Sequence, residues 1–185
     1  MRLDHARLDP LKHGWLAEPE TRTVMEALGT GRFVGGAVRN ALLGAPVVDI
    51  DIAVPVPPEE SVKLLEAAGI KVIPTGFDHG TVTVIKNDKI FEVTSLRRDV
   101  ATDGRHAVVA YTTQWEEDAA RRDFTINALY AAADGEIFDY TGGLEDLAAG
   151  RVRFVGNPKA RIAEDYLRIL RLFRFHGRSP GRSCP

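Results

Sequence analysis

Cysteine is almost absent from this chain. Its 185 residues include one, Cys184, which excludes an internal disulfide and any metal site built on several thiolates. No apolar run approaches the roughly 20 residues that a membrane-spanning helix requires. The polar start Met1-Arg2-Leu3-Asp4-His5 does not resemble a signal peptide. No internal repeat or low-complexity tract appears. These absences lead us to expect a reducing, cytoplasmic setting without membrane contact. The remainder, 44% hydrophobic and 27% charged, is ordinary for a globular chain with one substantial core, or one core and the start of another.

Net charge is also small, −2, but it is unevenly spread. Residues 151–185 hold nine Lys and Arg against two acidic residues, whereas the first 150 carry 15 basic and 24 acidic. The acidic part suits cation ligands. The basic end suits nucleotide phosphates or RNA, and equally a solvated arginine-rich helix.

The densest information lies within seventeen residues: Gly35-Gly36-Ala37-Val38-Arg39, then Asp49-Ile50-Asp51. A strand sends alternate side chains to one face, so Asp49 and Asp51 point together while Ile50 and Ile52 point the other way. Two carboxylates so placed suit a pair of divalent cations, as used in phosphoryl and nucleotidyl transfer. Arg32-Phe33-Val34 reads as a strand running into the glycines, and Ala37 to Leu43 as a helix stopped by Gly44. Bared amides at a helix start attract phosphate. Each motif alone is more often a turn or a wet strand face.

Along the chain, residues 1–31 read as helical, with Pro19 near a helix start and Gly29-Thr30-Gly31 closing it. Pro57-Pro58 opens a helix to Ala68, and strands follow at Ile70–Ile73, Thr81–Ile85 and Ile90–Thr94, the last two joined by a hairpin at residues 86–89. In Phe91-Glu92-Val93 the carboxylate faces away from two apolar neighbours. Residues 97–113 lack sustained periodicity and read as a long loop containing Asp99, Asp103, Gly104, Arg105 and His106. A helix near Gln114–Arg121 leads into Arg122-Asp123-Phe124-Thr125-Ile126-Asn127, and strands at Leu129–Ala132 and Glu136–Phe138 flank an Asp134-Gly135 turn. A short helix after Gly142-Gly143, a short strand at Val152–Val155 and one helix from Pro158 to about Phe175 complete the pattern, before a loop-like tail at 177–185.

The stretches GGAVRNALLG, DIDIA, HGTVTV, FEVTSLRRD, RRDFTINAL, DYTGGLEDL and EDYLRILRLFRF run in that order from about Phe33 to Phe175. They resemble the class II tRNA nucleotidyltransferase (CCA-adding) family, which shares its catalytic domain with bacterial poly(A) polymerases. The resemblance implies an α/β (α+β) fold: a nucleotidyltransferase-type mixed β-sheet flanked by helices, followed by the start of a helical neck. The expected organisation is an N-terminal helical segment at 1–31, a head at 32–155, the start of the neck with a nucleobase-selecting helix at 156–176, and the tail at 177–185. Body and tail helical domains would follow in the family, so the chain reads as a catalytic head ending near the neck.

By the same resemblance, Asp49 and Asp51 would hold Mg²⁺, with Glu92 as a third catalytic carboxylate. Gly35, Gly36 and Arg39 would cradle the triphosphate, since a planar guanidinium donates paired hydrogen bonds to phosphate. Arg122, Asp123 and Asn127 would meet sugar and phosphates, with structural pairing as the alternative for Asp123 and bracing of the turn for Asn127. Asp165 and Arg168, three apart on one helix, form either a surface pair worth about 0.2–0.5 kcal/mol or an edge selecting CTP and ATP over GTP and UTP. Arg171 and Arg174 would meet phosphate or water, and Leu167, Leu170 and Phe173 would be core. Asn40 stands where the family usually has aspartate, which would weaken the orientation of Arg39. The implied activity is template-independent addition of CMP and AMP to the tRNA 3′ end. Alternatives are poly(A) polymerase, CC-only or A-only addition, or a nucleotide-binding head inactive without partner domains or self-association. The RRDFTINAL and EDYLR elements argue against a small-molecule nucleotidyltransferase.

Overall fold

The computed structural model describes residues 7–103 and 106–176. The tail with Cys184, and Gly104 and Arg105, lie outside these residues. A seven-stranded sheet runs through the molecule in the order β3-β4-β5-β2-β1-β8-β9. Its centre is β1 (Arg32–Val34), β2 (Ile50–Val54) and β5 (Lys89–Ser95); β3 (Lys71–Ile73) and β4 (Thr81–Lys86) extend one edge, and β8 (Leu129–Ala131) and β9 (Ile137–Asp139) the other. Only β2 and β5 pair in parallel, and the remaining neighbours are antiparallel. The sheet is mixed, with helices flanking it, as the resemblance implied.

Alternation places the core. Ile50, Ile52 and Val54 of β2 are buried with Phe91 and Val93 of β5 and with Val24, Met25 and Leu28. The last three belong to helix α1 (Pro19–Leu28), and α2 (Gly36–Leu42) adds Val38 and Ala41 while α3 (Pro58–Ala67) adds Leu65. This leaves Asp51 and Glu92 on the opposite face. There a second cluster gathers Val34, Ala53, Leu96 and Tyr130 with Ala119 of α4 (Trp115–Ala120). A third, Phe124, Ile126 and Phe154, receives Leu172 and Phe175 of α7 (Leu167–His176). Among the described residues no helix is long and apolar enough to cross a membrane.

Five local readings are corrected. Residues 97–111 are not a loop but a two-stranded ribbon, β6 (Arg97–Asp103) with β7 (His106–Tyr111). A ribbon separate from the main sheet has no face that must be apolar, and a register shift between Asp99 and Ala101 breaks what alternation remains. Residues 152–155 contribute one bridge, Phe124 to Phe154, not a strand. The last helix is two, α6 (Pro158–Glu164) and α7, broken at Asp165, whose backbone is extended at φ −156° and ψ 106°. Leu167, Leu170 and Phe173 are exposed rather than core, because α7 docks through Leu172 and Phe175 on another side of the helix. At the N-terminus, Arg7 bridges Glu136, so the segment before α1 includes an extended contact as well as the helical turn Gly14–Leu16.

Candidate active site

Where β1 meets α2, Gly35 has φ +68° and ψ −120°, a conformation that a residue with a Cβ adopts only with strain. Its N–H is bound to the Leu129 carbonyl at 3.2 Å, and Gly36 begins the helix. The resulting amide-lined corner opens onto the face bearing Asp51. Across the parallel pairing Asp51 lies beside Glu92, and Asp49 precedes the strand. Burial, repulsion from Glu92 and a smaller push from Asp49 raise the Asp51 carboxyl above its ordinary value, against the opposing pull of Arg122.

A cleft of about 660 Å³ brings together the residues given catalytic or nucleotide-binding roles from the sequence: Asp49, Asp51 and Glu92; Gly35, Gly36 and Arg39; Arg122, Asp123 and Asn127; and Asp165, Arg168, Arg171 and Arg174. Thr81, Thr94, Arg97 and Arg121 also line it. They lie inside the HGTVTV, FEVTSLRRD and RRDFTINAL stretches, but spacing alone assigns them no role. A more apolar cavity of about 520 Å³ lies beyond Arg39, against Leu43, Val48, Leu147 and Val152. It lacks the convergent carboxylates, so the polar cleft is the candidate site.

A hydrogen-bonded chain crosses this cleft. Arg39 donates through Nη1 to Asn127 Oδ1, and Asn127 Nδ2 donates to Asp123 Oδ1 at 3.2 Å. Asp123, nearly buried, is paired through Oδ2 with Arg171 Nη2 of α7 at 3.0 Å. The ion-pair reading of Asp123 and the bracing reading of Asn127 therefore both describe real contacts. Asn40 keeps part of what an aspartate would provide: its Oδ1 accepts from Arg39 Nε at 3.2 Å and Nη2 at 2.9 Å. Its Nδ2 donates to the Pro46 carbonyl at 3.1 Å, which a carboxylate cannot do. The orienting hydrogen bonds survive, and only the charge is lost.

Asp165 and Arg168 do not share one helical face. Asp165 Oδ1 accepts the Leu167 N–H at 2.9 Å and so caps α7, a role that suits aspartate. Arg168 Nη1 donates to the Arg161 carbonyl at 2.8 Å and to Glu164 Oε2 at 2.7 Å. Both reach the cleft, but their side chains are not bonded to each other; only the Arg168 N–H donates to the Asp165 carbonyl, at 3.1 Å.

Beneath the arginines sits Asp118, one of three acids in the first turn of α4 with Glu116 and Glu117. It is 1% exposed. Its Oδ1 accepts from Arg121 Nε at 2.9 Å and Nη2 at 2.6 Å. Its Oδ2 accepts from Arg122 Nε at 3.0 Å and Nη2 at 2.8 Å, and from the Tyr130 hydroxyl at 2.8 Å. Burial pushes this carboxyl up, but Arg122, Arg121 and the tyrosine hydrogen bond outweigh it and hold it at about 2. A carboxyl depressed in the folded state stabilises the fold above its unfolded value near 4, and that contribution disappears as pH falls through 2. It is on the order of 2–3 kcal/mol. The melting temperature of the wild type is therefore expected to fall more steeply between pH 4 and 2 than that of Asp118→Asn; parallel curves would refute this.

The donor set fits a hard divalent cation: Asp49, Asp51 and Glu92 offer oxygens only, and their mutual repulsion is what a cation would relieve. Among the described residues no three metal-ligating side chains are gathered closely enough to hold an ion by themselves.

A glycine corner, carboxylates on adjacent parallel strands and an arginine wall thus meet in one cleft on the mixed sheet. Residues 31–153 match the poly A polymerase head domain, and the chain belongs to that family. It is 52% identical over 158 residues to human mitochondrial CCA tRNA nucleotidyltransferase 1, covering 83% of this chain and 36% of that protein. The fold matches the Bacillus stearothermophilus CCA-adding enzyme in complex with CTP, with a TM-score of 0.75, 37% identity, and coverage of 85% of this chain and 39% of that one. It also matches a tRNA nucleotidyltransferase complexed with a primer tRNA and an incoming ATP analog, with a TM-score of 0.65, 34% identity, and coverage of 80% and 41%. The chain thus spans little more than a third of the relatives it resembles.

Proposed function

We propose that this chain is the catalytic head of an RNA nucleotidyltransferase that adds CMP and AMP to the 3′ end of tRNA from CTP and ATP. The observation that carries this reading is the single cleft where the Gly35-Gly36 corner, Asp49, Asp51 and Glu92 face an arginine-lined wall. In this reading the Gly36 amide at the start of α2, with Arg39 and Arg122, binds the triphosphate and neutralises charge as pyrophosphate departs. The 3′-hydroxyl oxygen of the RNA bonds to the α-phosphorus while the bond from that phosphorus to the β-phosphate oxygen breaks. The hydroxyl proton passes to Glu92, which stands beside Asp51 at the same level of the sheet. Asp49 and Asp51 would hold Mg²⁺, which supplies Lewis-acid stabilisation of the transferring phosphoryl group. Arg168 would leave Glu164 to present, with Asp165, donors and acceptors that suit the amine and ring nitrogen shared by C and A, and GTP or UTP would leave them unpaired.

The test is incubation with Mg²⁺, a tRNA lacking its CCA end and each radiolabelled nucleotide in turn, beside Asp49→Ala/Asp51→Ala. Ordered incorporation of CMP and AMP, lost in the control, is expected. Long tracts of AMP alone would make the chain a poly(A) polymerase head. Binding of CTP and ATP without incorporation would make it a nucleotide-binding head that needs further domains. Neither incorporation nor selective binding would overturn the reading.

A further inference from the structure

We propose that Asp118 is the positioning residue of the nucleotide site, holding Arg122 by one edge so that its other edge faces the glycine cradle. This rests on the nucleotidyl-transfer reading above. Glu116 and Glu117, its neighbours in sequence, are exposed as expected for acids in the first turn of a helix. Asp118 instead points inward, under the cleft floor.

The grip is one-sided. Asp118 engages Arg122 only through Nε and Nη2, and the remaining nitrogen, Nη1, comes within 4.0 Å of where a Cβ on Gly35 would stand. Arg122 also lines the same cleft as the glycine corner, Asp51 and Glu92, so its unheld edge faces the site. Arg121 is gripped by the same two nitrogens and lines the same cleft. One carboxylate thus orders two guanidiniums and leaves the cluster with one net positive charge beneath the phosphate corner, whereas two isolated aspartates would cancel it.

Tyr130 makes the cluster stiff. Its hydroxyl donates to Asp118 Oδ2 at 2.8 Å and accepts from Arg122 Nε at 3.0 Å. Its ring is fully buried and packed edge-on against Trp115 at 5.4 Å and Tyr140 at 5.9 Å. Arg122 and Tyr130 are eight residues apart, on opposite sides of the turn at Thr125–Asn127, so the hydroxyl also ties the start of β8 to the end of α4.

Mg²⁺-ATP binding and thermal melting, measured on the full chain, separate positioning from mere bracing. Asp118→Asn is expected to weaken binding about tenfold, and Arg122→Met by at least as much. Asp118→Asn/Arg122→Met should bind no more weakly than Arg122→Met alone, because Asp118 acts through that guanidinium. Tyr130→Phe, which removes a hydroxyl and no charge, should weaken binding about threefold while melting close to the wild type. Losses that multiply in the double variant, or an Asp118→Asn that melts lower but binds normally, would reduce Asp118 to a brace. Should Asp118→Asn fail to fold, Tyr130→Phe decides: unchanged affinity overturns the proposal. A wild type that does not bind Mg²⁺-ATP overturns the nucleotide reading and this inference with it. Normal wild-type binding beside a multiplicative cycle overturns only the role of Asp118.

Discussion

Asp51→Asn is expected to reduce CMP incorporation about 10³-fold or more, since a bound cation supplies several kcal/mol of charge stabilisation in phosphoryl transfer. Asparagine keeps the shape of the side chain and removes the charge. The strand itself should be untouched, because Ile50 and Ile52 carry the packing of β2 and face the other way. Without divalent cations the variant should melt at or above the wild type. Burial and the Glu92 and Asp49 charges raise the Asp51 carboxyl in the folded state, so the neutral form is the one the fold favours. Its contribution to stability is present below the unfolded value and is lost as pH rises through the folded one, so at neutral pH the carboxylate costs stability. Single-turnover incorporation and a melting scan in chelator, run side by side, test both halves. Retained incorporation would remove Asp51 from the chemistry; a large drop in melting temperature would make its role structural.

Gly143→Ala should be strongly damaging to both stability and the site. Gly143 opens α5 (Gly143–Ala148), and a Cβ there would stand 2.2 Å from the Thr125 carbonyl oxygen and 2.8 Å from its carbon. Neither side can yield easily. The N–H groups of Thr141, Gly142 and Gly143 all donate to Asp139 Oδ1, at 3.0, 2.9 and 3.0 Å, and that of Leu144 donates to Oδ2 at 2.9 Å. Thr125 is held from its own side by Oγ1 donating to buried Asp146 at 2.6 Å. Overpacking of this kind costs about 3 kcal/mol, or roughly 6–12 °C of melting temperature for a chain this size. The displaced turn carries Asn127, the hydrogen-bond partner of Arg39, so nucleotide affinity should fall together with stability. A melting temperature within about 2 °C of the wild type would show that the contact relaxes freely.

These two positions differ in how visible they were beforehand. Asp51 could be found from spacing, because alternation in a strand is local and follows from backbone geometry alone. The clash at Gly143 could not, since it depends on the close approach of a turn eighteen residues earlier. The same contrast separates Glu92, whose face followed from Phe91 and Val93, from Asp118, whose burial depends on how α4 lies over Tyr130. Asp165 was misread for a related reason. The apolar rhythm of residues 158–175 continues across it, while the break is made by one carboxylate capping the helix that follows. The ribbon at 97–111 was misread because a strand pair separate from the main sheet needs no period.

The sequence by itself determined most local elements, the glycine corner and the facing carboxylates, because turn chemistry, alternation and capping act over a few residues, and it implied the mixed α/β class through its family resemblance. Only the tertiary structure decided that all the named groups share one cleft, and that Arg39 is braced by Asn40 and Asn127. It also decided that Arg168 is paired with Glu164 rather than Asp165, and that one buried aspartate orders two arginines beneath the phosphate corner. Those outcomes depend on which distant segments pack together, and burying a charge requires partners that local spacing does not specify.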